Sequence, residues 1–470
     1  MEEVTRKIPL SDTSTRHFQA RRNIHGIVVF ESPGLTRSRK KWHDSFDHVV
    51  TVCPQLQRTI LIEEDNAYLV LNVHSDRKPA LKVIDCRDSL PSILRPREEI
   101  QGLKKRSKEE LKAICRIAEA SKSTCYEITP PLQMTVLLGH TTTAMVALTP
   151  HYLLDGTGFS TAVSLVLAFT RLPKALWFAL NRMVPRYDPP SPLEMALKSS
   201  YDSMLRKLYD LPSSEIQGRP LNYYVFVPDK DSSIVTSGFT QEWQVSSGIF
   251  YELKAKLRNE HSLAVSTFFT AVVAKIAAAL LRRFDPEFSS NTQSNFYATI
   301  PFDMRKLGKW NQRSRVKQRI PIVGDYSRAL LTPVPISTLL TKPFTESAKI
   351  IAKDVHRLKN DEYYRACKVL QGQARTPKPN LLCGVSSVRL PSSSFRMAKN
   401  LETEASTDLG DVDRVWMTMV FREGSPTISF RLDIALRLKG LTETETRKVI
   451  RDVVGGTLVE SCIKAVCRDM

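Results

Sequence analysis

His151 is the residue of this chain best suited to move a proton. It follows an apolar, β-branched run at residues 142–148, precedes the dipeptide Asp155-Gly156, and is succeeded by a second apolar run from Phe159. This order of patterns predicts a strand, a turn and a helix, with the histidine where the strand ends. An imidazole titrates near neutral pH, so it can take a proton from a hydroxyl or an amine and pass it to a leaving group. His151 is therefore a candidate general base, and a buried structural histidine is the alternative.

The length and composition predict a globular protein with more than one domain. The chain has 470 residues, of which 42% are hydrophobic, and this length suggests two or three cores. Its best linker candidate is the proline-rich stretch at residues 185–192. We therefore expect an N-terminal domain at residues 1–190 that carries His151, a linker or crossover at 191–221, and a C-terminal domain at 222–470.

The chain is strongly basic, which favours anionic partners. It has 68 Lys and Arg against 49 Asp and Glu, a formal net charge of +19. Such a charge attracts nucleic acid, an acidic membrane, an acidic carrier protein or the phosphates of coenzyme A (CoA). The sequence shows no nucleic-acid-binding module, so nucleic acid is not the expected partner. A generally basic soluble enzyme is the alternative interpretation.

The cysteines and the apolar segments predict an intracellular protein. Eight cysteines are scattered without a Cys-x-x-Cys pair, which disfavours a disulfide scaffold or a zinc site, and we expect no metal. The N-terminus is charged, and no apolar segment of the signal-peptide type follows it. The most apolar window, residues 161–180, is interrupted by Arg171, Pro173 and Lys174. We therefore expect a cytoplasmic protein without a membrane span.

Periodic patterns predict strands and helices in both halves of the chain. Residues 130–138 and the strand before His151 should form a hairpin with its turn at Gly139-His140. Residues 262–283 are apolar over most of the helix circumference, which predicts a helix buried against a sheet. Further strands are expected at residues 23–30, 59–62, 68–73, 222–227, 296–305, 381–388, 414–421 and 427–432, and further helices at 35–50, 193–209, 344–370 and about 443–465.

Five short features occur in a fixed order that resembles a known superfamily. They are Pro54-x-Leu56, Pro131-Leu132, His151-x-x-x-Asp155-Gly156, Ser266-Thr267-Phe268 and Asp303-x-Arg305. The order is similar, over about residues 20–460, to that of the CoA-dependent acyltransferases with the chloramphenicol-acetyltransferase-like fold. These include the BAHD family, fungal trichothecene acetyltransferases, alcohol acetyltransferases and the condensation domains of peptide synthetases. The resemblance implies two α/β domains, each a mixed β-sheet flanked by helices, with the active site in a channel between them.

The resemblance also implies a reaction and roles for the motif residues. His151 would be the general base that deprotonates a hydroxyl or amine for attack on an acyl thioester. Asp155 would pair with Arg305 and hold the loop instead of orienting the imidazole, unlike a triad carboxylate. Gly156 would leave room for a pantetheine arm or an acceptor. The protein would be a monomer without a permanently bound cofactor, using acyl-CoA, with an acetyl or other short acyl group, and a small-molecule, secondary-metabolite alcohol or amine.

The chain departs from the best-known members of the superfamily at two places. Many members carry a second histidine directly before the catalytic one, where this chain has Pro150. The C-terminal Asp-Phe-Gly-Trp-Gly motif of the BAHD family is absent, and the segment at residues 383–391 stands nearest to its place. Residues 321–325 resemble the place of the BAHD Tyr-Phe-Gly-Asn loop, with Gly324 as the match. The broader superfamily therefore fits better than plant-type BAHD membership.

Two further groups of residues are candidates for contacts with substrate. Ser386 and Ser387 could donate a hydrogen bond to the oxyanion of a tetrahedral intermediate, although ordinary strand serines are the alternative. A basic loop at residues 306–319 could meet the phosphates of CoA or a carrier protein, although a solvated loop is the alternative. Its candidate residues are Arg313, Arg315 and Lys317.

Two other functions remain open on the sequence. A condensation-domain-like enzyme would keep the same fold and base but take its acyl group from a carrier-bound thioester. A catalytically silent binding protein would use the basic surface for nucleic acid or membrane. A serine hydrolase is disfavoured because the chain has no Gly-x-Ser-x-Gly motif.

Overall fold

The two largest hydrophobic cores among the described residues each belong to one structural unit, and a smaller cluster around Val29 and Leu137 lies in the first unit. The first unit comprises Met1–Ser191, Lys309–Tyr326 and Leu390–Gly410, and the second comprises Pro192–Gly308, Ser327–Arg389 and Asp411–Met470. The computed structural model describes residues 8–9, 23–31, 38–63, 66–71, 79–86, 131–139, 142–184, 237–284, 295–306, 320–321, 323–362, 364–365, 381–390, 399–407, 413–422, 426–436, 442–455 and 458–467.

The first unit is built on a five-stranded mixed sheet and a small three-stranded one. Its strands are β1 (Ile8–Pro9), β2 (Asn23–Glu31), β3 (Arg58–Glu63), β4 (Asn66–Leu71), β5 (Ala80–Asp85), β6 (Gln133–Leu138) and β7 (Thr142–Pro150), joined by a strand from late in the chain, Lys399–Thr407. The small sheet has the order β1-β4-β3. In the large sheet, β7 lies in the centre, with β2 on one side and β6 on the other.

The predicted hairpin that leads to the candidate base is confirmed. β6 and β7 pair antiparallel from Gln133 opposite Leu148 to Leu138 opposite Thr143. β7 also pairs with β2 along its whole length, and the last pair is Asn23 with Pro150. The parallel pairing of β5 with β6 makes the sheet mixed. The backbone of β7 is therefore paired on both sides up to Leu148, and on the β2 side up to Pro150, the residue before His151.

Helices cover the large sheet of the first unit and complete its core. They are α1 (Arg39–Val52), α2 (Gly156–Arg171) and α3 (Trp177–Asn181), with 3-10 turns at Pro54–Gln57 and Lys174–Leu176. Most of the surface of α2 is covered by neighbouring elements, because eleven of its sixteen residues are buried. Trp42 and Phe46 of α1 and Phe159 and Phe169 of α2 lie in the same core as the alternate side chains of β6 and β7.

The predicted C-terminal domain at residues 222–470 is not continuous in the structure. The strand Lys399–Thr407 pairs antiparallel with β2, from Glu402 opposite Val29 to Thr407 opposite Ile24. It therefore completes the sheet of the first unit. The described part of Lys309–Tyr326 also belongs to that unit, and Val323 lies in its core. These late segments join the first unit through backbone pairing and core packing between distant parts of the chain. The predicted linker at 191–221, and the strand and helix expected at 222–227 and 193–209, lie outside the described residues.

The second unit contains a six-stranded mixed sheet. Its strands are β8 (Ser237–Ser246), β9 (Asn295–Asp303), β10 (Ser327–Pro335), β11 (Leu381–Leu390), β13 (Asp413–Arg422) and β14 (Thr427–Leu436). The strand Lys399–Thr407 of the first unit, which precedes β13 in the chain, is β12. The order across the sheet is β10-β9-β11-β13-β14-β8. β9 and β11 run parallel, whereas the β9–β10, β13–β14 and β14–β8 pairs are antiparallel. Both units therefore carry a mixed sheet, as predicted.

One face of this six-stranded sheet packs on helices, and α5 lies at the centre of the packing. The helices are α4 (Ser247–His261), α5 (Val265–Phe284), α6 (Ile336–Thr341), α7 (Phe344–Asn360), α8 (Glu443–Val454) and α9 (Leu458–Val466). Every second side chain of β13, at Val415, Met417 and Met419, is buried in the core. Phe268 and Phe269 of α5 lie in the same core. The prediction of a buried helix at residues 262–283 is confirmed.

Within the part of the chain that the structure describes, the same helix is the one whose length and composition would allow it to cross a membrane. Val265–Arg283 meets that test, and 78% of its most apolar window is buried inside the protein. The window that stands out in the sequence, residues 161–180, is divided among α2, a 3-10 turn and α3, so no single helix covers it. The apolar character of α5 is explained by its packing against the sheet.

Polar side chains and glycine mark where several helices begin and end. Ser38, Asp155 and Ser246 each accept a hydrogen bond from a backbone N–H in the first turn of α1, α2 and α4. Thr442 and Glu445 form a capping box at the start of α8. The single closing helix predicted at about 443–465 is instead two helices, α8 and α9. Gly455 follows α8 with a φ of +67°, a left-handed backbone that ends a helix.

Candidate functional site

His151 is the first residue beyond the central strand of the large sheet. It occupies a turn between β7 and α2 and is half-buried. The backbone N–H groups of Leu153 and Leu154 donate to the carbonyl of Pro150, at 3.1 and 3.4 Å, so the chain turns tightly at this point. The hydroxyl of Thr149 donates to the carbonyl of Pro131 at 2.7 Å and fixes the end of β7. A strand bonded on both sides is a rigid support for a side chain that must be held in place.

The three residues between His151 and Asp155 anchor the turn to the core. Tyr152, Leu153 and Leu154 are all buried, and Leu154 is completely so. All three lie in the core of the first unit with the apolar side chains of α1 and α2. The turn is therefore held from below, while its histidine stays partly accessible.

Both carboxylate oxygens of Asp155 are engaged by backbone N–H groups. Oδ1 accepts from Gly158 at 2.7 Å, which caps the N-terminus of α2, and Oδ2 accepts from Tyr326 at 2.8 Å. The N–H of Asp155 donates in turn to the carbonyl of Gly324 at 3.3 Å. Asp155 is only 2% exposed, so these bonds satisfy a carboxylate that would be costly to bury without partners. The residue joins the motif loop to the turn at residues 324–326.

Two glycines let this joint close. A Cβ on Gly158 would lie 2.4 Å from the carbonyl oxygen and 2.9 Å from the nitrogen of Gly324. Gly324 has a φ of +149°, and a Cβ there would meet the Tyr326 ring at 2.7 Å. Neither position accepts a side chain without movement of its neighbours. We call Asp155, Gly158, Gly324 and Tyr326 the loop clamp.

Gly156 differs from these glycines because, among the described residues, no atom occupies the space where a side chain would stand. A Cβ at Gly156 would have no atom within 4 Å, and the residue is exposed at the first position of α2. The packing of the protein does not require a glycine there. The role that the resemblance implies, an open passage for substrate, stays a prediction.

Arg305 lies in the second unit, at the end of β9. Its side chain is 8% exposed, and Nη1 is 3.2 Å from Oδ1 of Asp303. The same carboxylate oxygen accepts from the backbone N–H of Arg305 at 3.1 Å. This local pair fixes the Asp-x-Arg segment. The predicted pairing of Arg305 with Asp155 stays a prediction.

Ser386 and Ser387 alternate on β11, as neighbours in a strand must. Ser387 is exposed, whereas Ser386 is half-buried on the sheet face opposite to Cys383 and Val385. The hydroxyl of Ser386 accepts from the indole N–H of Trp416 at 3.1 Å and lies 3.3 Å from the hydroxyl of Thr418. The indole bond uses an acceptor site of Ser386 and leaves its own hydrogen able to donate. Of the two serines, Ser386 has the more fixed geometry, and its oxyanion role remains a prediction.

Close packing also places a glycine beside Ser386. A Cβ on Gly384 would lie 2.2 Å from the carbonyl of Thr299 and 2.9 Å from the Trp416 ring. Gly384 pairs with Thr299 where β9 and β11 run parallel. The glycine therefore permits the close approach of β9 and of the indole ring that holds Ser386.

The remaining candidates lie beyond what can be described. Arg313, Arg315 and Lys317 fall outside the described residues, so their proposed contact with CoA phosphates stays a prediction. Among the described residues, no cluster of three His, Cys, Asp or Glu side chains could hold a metal ion.

Sequence reasoning missed Gly158, Tyr326 and Trp416. One signal for Gly158 was present, because a second glycine in the first turn of a helix lowers helix propensity and so needs another reason, such as close packing. Tyr326 contributes its backbone and Trp416 its indole N–H to contacts with residues far away in the sequence. No local pattern announces such contacts.

No protein-family model and no curated protein matches the chain, but solved structures are similar over almost all of it. The trichothecene 15-O-acetyltransferase TRI3 from Fusarium sporotrichioides has a TM-score of 0.60 at 10% identity, covering 97% of this chain and 95% of that one. TRI101 of F. graminearum, complexed with ethyl coenzyme A, has a TM-score of 0.54 at 11% identity, covering 97% and 99%.

A peptide-synthetase domain is similar to the same extent. A variant of the starter condensation domain of rhizomide synthetase RzmA, in complex with C8-CoA, has a TM-score of 0.54 at 12% identity, covering 97% of this chain and 95% of that one. The neighbours thus include both acetyltransferases and condensation domains, as the sequence resemblance predicted. The chain has the two-unit chloramphenicol-acetyltransferase-like fold that these proteins share.

Proposed function

We propose that the protein is an acyltransferase that moves an acyl group from acyl-CoA to a hydroxyl or amine of a small molecule, with His151 as general base. One observation carries the proposal: His151 is held at the end of the central strand, while the motif carboxylate of Asp155 is committed to backbone N–H groups. A positioned imidazole can act as a general base without a catalytic carboxylate beside it. The fold shared with acetyltransferases supports it.

The proposed reaction needs one proton carrier. The imidazole of His151 removes the proton of the acceptor O–H or N–H as the oxygen or nitrogen attacks the thioester carbonyl carbon. The tetrahedral oxyanion then collapses and the C–S bond breaks. The leaving thiolate takes the proton from the imidazolium, so an ester or amide and free CoA are released and the imidazole is neutral again.

Other residues of the chain would serve this reaction. We propose that Ser386 donates its hydroxyl hydrogen to the oxyanion, since Trp416 already fills one of its acceptor sites. Arg313, Arg315 and Lys317 would meet the phosphates of CoA, which suits a chain of net charge +19. CoA enters and leaves as a co-substrate and is not a resident cofactor.

The acceptor is the least constrained part of the proposal. We propose a small-molecule alcohol or amine and a short acyl group, because TRI3 is a trichothecene 15-O-acetyltransferase and TRI101 is complexed with ethyl coenzyme A. A monomeric, cytoplasmic enzyme of secondary metabolism fits this assignment.

The test is release of free CoA thiol from a panel of acyl-CoA esters in the presence of mixed alcohol and amine acceptors. With the right pair, His151→Ala should lower kcat by at least about 100-fold, because a positioned base contributes roughly that much or more. His356→Ala is the matched control, since this histidine is exposed on α7 and far along the chain from the motif. Full activity of folded His151→Ala protein would refute the assignment.

A carrier-bound donor is the second candidate, because a condensation domain with the same fold is also similar to this chain. It uses the same base and the same attack on a thioester, and differs only in what holds the acyl group. Parallel assays with free acyl-CoA and with acyl groups loaded on a carrier protein separate the two. Turnover with carrier-loaded acyl groups alone would replace the CoA proposal.

A further inference from the structure

Exposed apolar side chains occur in two short segments, one in each unit, and the segment of the first unit is the more apolar. In the described part of the chain, four large hydrophobic side chains are exposed. Two of them, Leu176 at 48% and Phe178 at 58%, are two positions apart; the other two, Ile249 and Tyr251, lie on α4 of the second unit. Pro173, Ala175 and Ala179 are exposed around the first pair. We call residues 173–182, the 3-10 turn and α3, the apolar tip.

Contacts on the buried side of the apolar tip fix its position, so the exposure of Leu176 and Phe178 is a feature of the fold. The ring of Trp177 packs against those of His48 and Phe169, at centroid distances of 4.7 and 5.3 Å, and those two rings also contact each other. Its indole N–H lies 3.1 Å from the carbonyl of Phe169 and 3.3 Å from that of Leu172. His48 Nε2 is 2.8 Å from Oδ1 of Asn181. The inward side of the tip is thus fully engaged, while Leu176 and Phe178 point to solvent.

Basic groups lie near these two side chains. Lys174 has a 64% exposed side chain and forms a 2.7 Å ion pair with Asp44, in which the two charges compensate each other. The guanidinium of Arg182 lies 5.6 Å from the centre of the Phe178 ring. The hydrogen bond from Lys174 lowers the pKa of the Asp44 carboxyl, and the charge of Lys40 on α1 lowers it further. The tip therefore combines an apolar centre with a cationic rim.

The tip is remote from the candidate active site. α2 begins next to Asp155 and ends at Arg171, directly before the tip. Sixteen helical residues at 1.5 Å per residue span about 24 Å. Leu176 and Phe178 therefore do not line the region around His151, and a substrate role does not explain their exposure.

We propose that the apolar tip docks the protein on the surface of a membrane that contains anionic lipids. Phe and Leu can enter the boundary between headgroups and acyl chains, while Lys and Arg reach the lipid phosphates. A chain of net charge +19 adds long-range attraction to such a surface. A fluid surface adapts to two projecting side chains, whereas a protein partner would need a matching pocket. This inference is independent of the proposed acyl transfer.

Vesicle co-sedimentation of the full chain tests the proposal. The protein should bind vesicles of phosphatidylcholine with phosphatidylserine, bind vesicles of phosphatidylcholine alone much less, and lose binding as salt is added. The double variant Leu176→Ser/Phe178→Ser should lower the ratio of bound to free protein at least about tenfold, since burial of one such side chain is worth about that much. Arg182→Glu should weaken binding to the anionic vesicles alone.

The matched control is Ile249→Ser/Tyr251→Ser, which removes the exposed apolar pair of the other unit and should leave binding unchanged. Circular dichroism checks that each variant is folded. Equal binding of the wild type and the Leu176→Ser/Phe178→Ser variant would overturn the proposal. Failure of the wild type to bind vesicles would also overturn it. In that case, self-association of the wild type that the Leu176→Ser/Phe178→Ser variant abolishes would identify a second copy of the chain as the partner of the tip.

Discussion

In the proposed reaction, Asp155 would shape the site without taking part in the proton transfer. Its two oxygens accept from Gly158 and Tyr326, so it links the start of α2 to a turn more than 160 positions away. A triad carboxylate would instead face the imidazole and orient it. His151 depends on Asp155 through the position of the loop, and substitutions in the loop clamp should change activity by displacing that loop.

Gly158→Ala should damage both stability and activity. The added Cβ would lie 2.4 Å from the Gly324 carbonyl, so the backbone must shift. Overpacking of this kind costs about 1–3 kcal/mol in the free energy of unfolding. A displacement of about 1 Å at His151 could lower kcat roughly 100-fold. Urea unfolding and thiol-release kinetics measure the two effects.

Gly156→Ala is the matched control for that substitution. Its Cβ enters open space, so the free energy of unfolding should stay the same or rise by less than about 1 kcal/mol. If Gly156 keeps a passage clear, kcat/KM should fall for the acyl donor while stability does not. Equal destabilisation by both substitutions would contradict the close contact of Gly158 with Gly324.

The candidate catalytic residues could be predicted from the sequence, whereas the contacts that hold their loop in place could not. The β-branched run, His151 and Asp155 lie within fifteen residues, so their local order predicts the strand, the turn and the helix cap. The loop clamp forms between residues 155–158 and 324–326, and its bonds use mostly backbone atoms. Backbone donors and acceptors are present in every residue and leave no signature in a sequence.

At the scale of elements, the end of α7 depends on one buried cation. Arg365 is 1% exposed, and its Nη1 donates to the carbonyls of Leu358 and Lys359 at 2.7 and 3.0 Å. These carbonyls are at the C-terminus of the helix, where the backbone has no further donors and the dipole favours a cation. The continuous helix predicted at 344–370 is interrupted: α7 ends at Asn360, where Arg365 caps it, residues 362 and 364–365 are helical again, and residues 366–370 lie outside the described residues.

Replacing this cap should be costly. Arg365→Met would leave buried carbonyls without their charged donor and should lower the free energy of unfolding by about 3 kcal/mol. Arg357→Met serves as the control on the same helix, because the Arg357–Asp361 pair is exposed and such pairs contribute less than about 1 kcal/mol. Urea titration measures both, and similar losses would show that Arg365 is not a structural cap.

Elements with a strong hydrophobic period were predictable, and those with a weak one were not. The strands at β2, β11, β13 and β14 and the helix α5 lie where the apolar patterns place them. β12 reads Lys-Asn-Leu-Glu-Thr-Glu-Ala-Ser-Thr, with hardly an apolar residue, and so resembles a loop. It is a strand because β2 supplies hydrogen bonds, a contact between opposite ends of the chain. Tertiary pairing overrides local preference there.

The described cysteines of both units are part of hydrophobic clusters. Cys53, Cys86, Cys383, Cys462 and Cys467 are all buried. Burial raises the pKa of Cys53 and of Cys462 to about 12 and also raises that of Cys383. Because the thiolate is the reactive form, these groups should be inert near neutral pH in the folded protein.

Thiol labelling tests this directly. In the native protein near neutral pH, a reagent such as iodoacetamide should leave Cys53, Cys383 and Cys462 unmodified, and guanidinium unfolding should expose all three. Peptide mass spectrometry reads each site separately. Fast labelling of Cys53 in native protein would contradict its burial. Inert cysteines would also keep the background low in an assay that counts released CoA thiol.

The return of β12 to the first sheet has a consequence for how the protein is made. β2 leaves the ribosome well before β12, because the strands β8 to β11 of the second unit lie between them in the sequence. Until β12 arrives, one side of β2 presents unbonded backbone groups, an edge that can pair with another nascent chain. The large sheet of the first unit, which carries His151, is therefore completed only after most strands of the second unit have been synthesised.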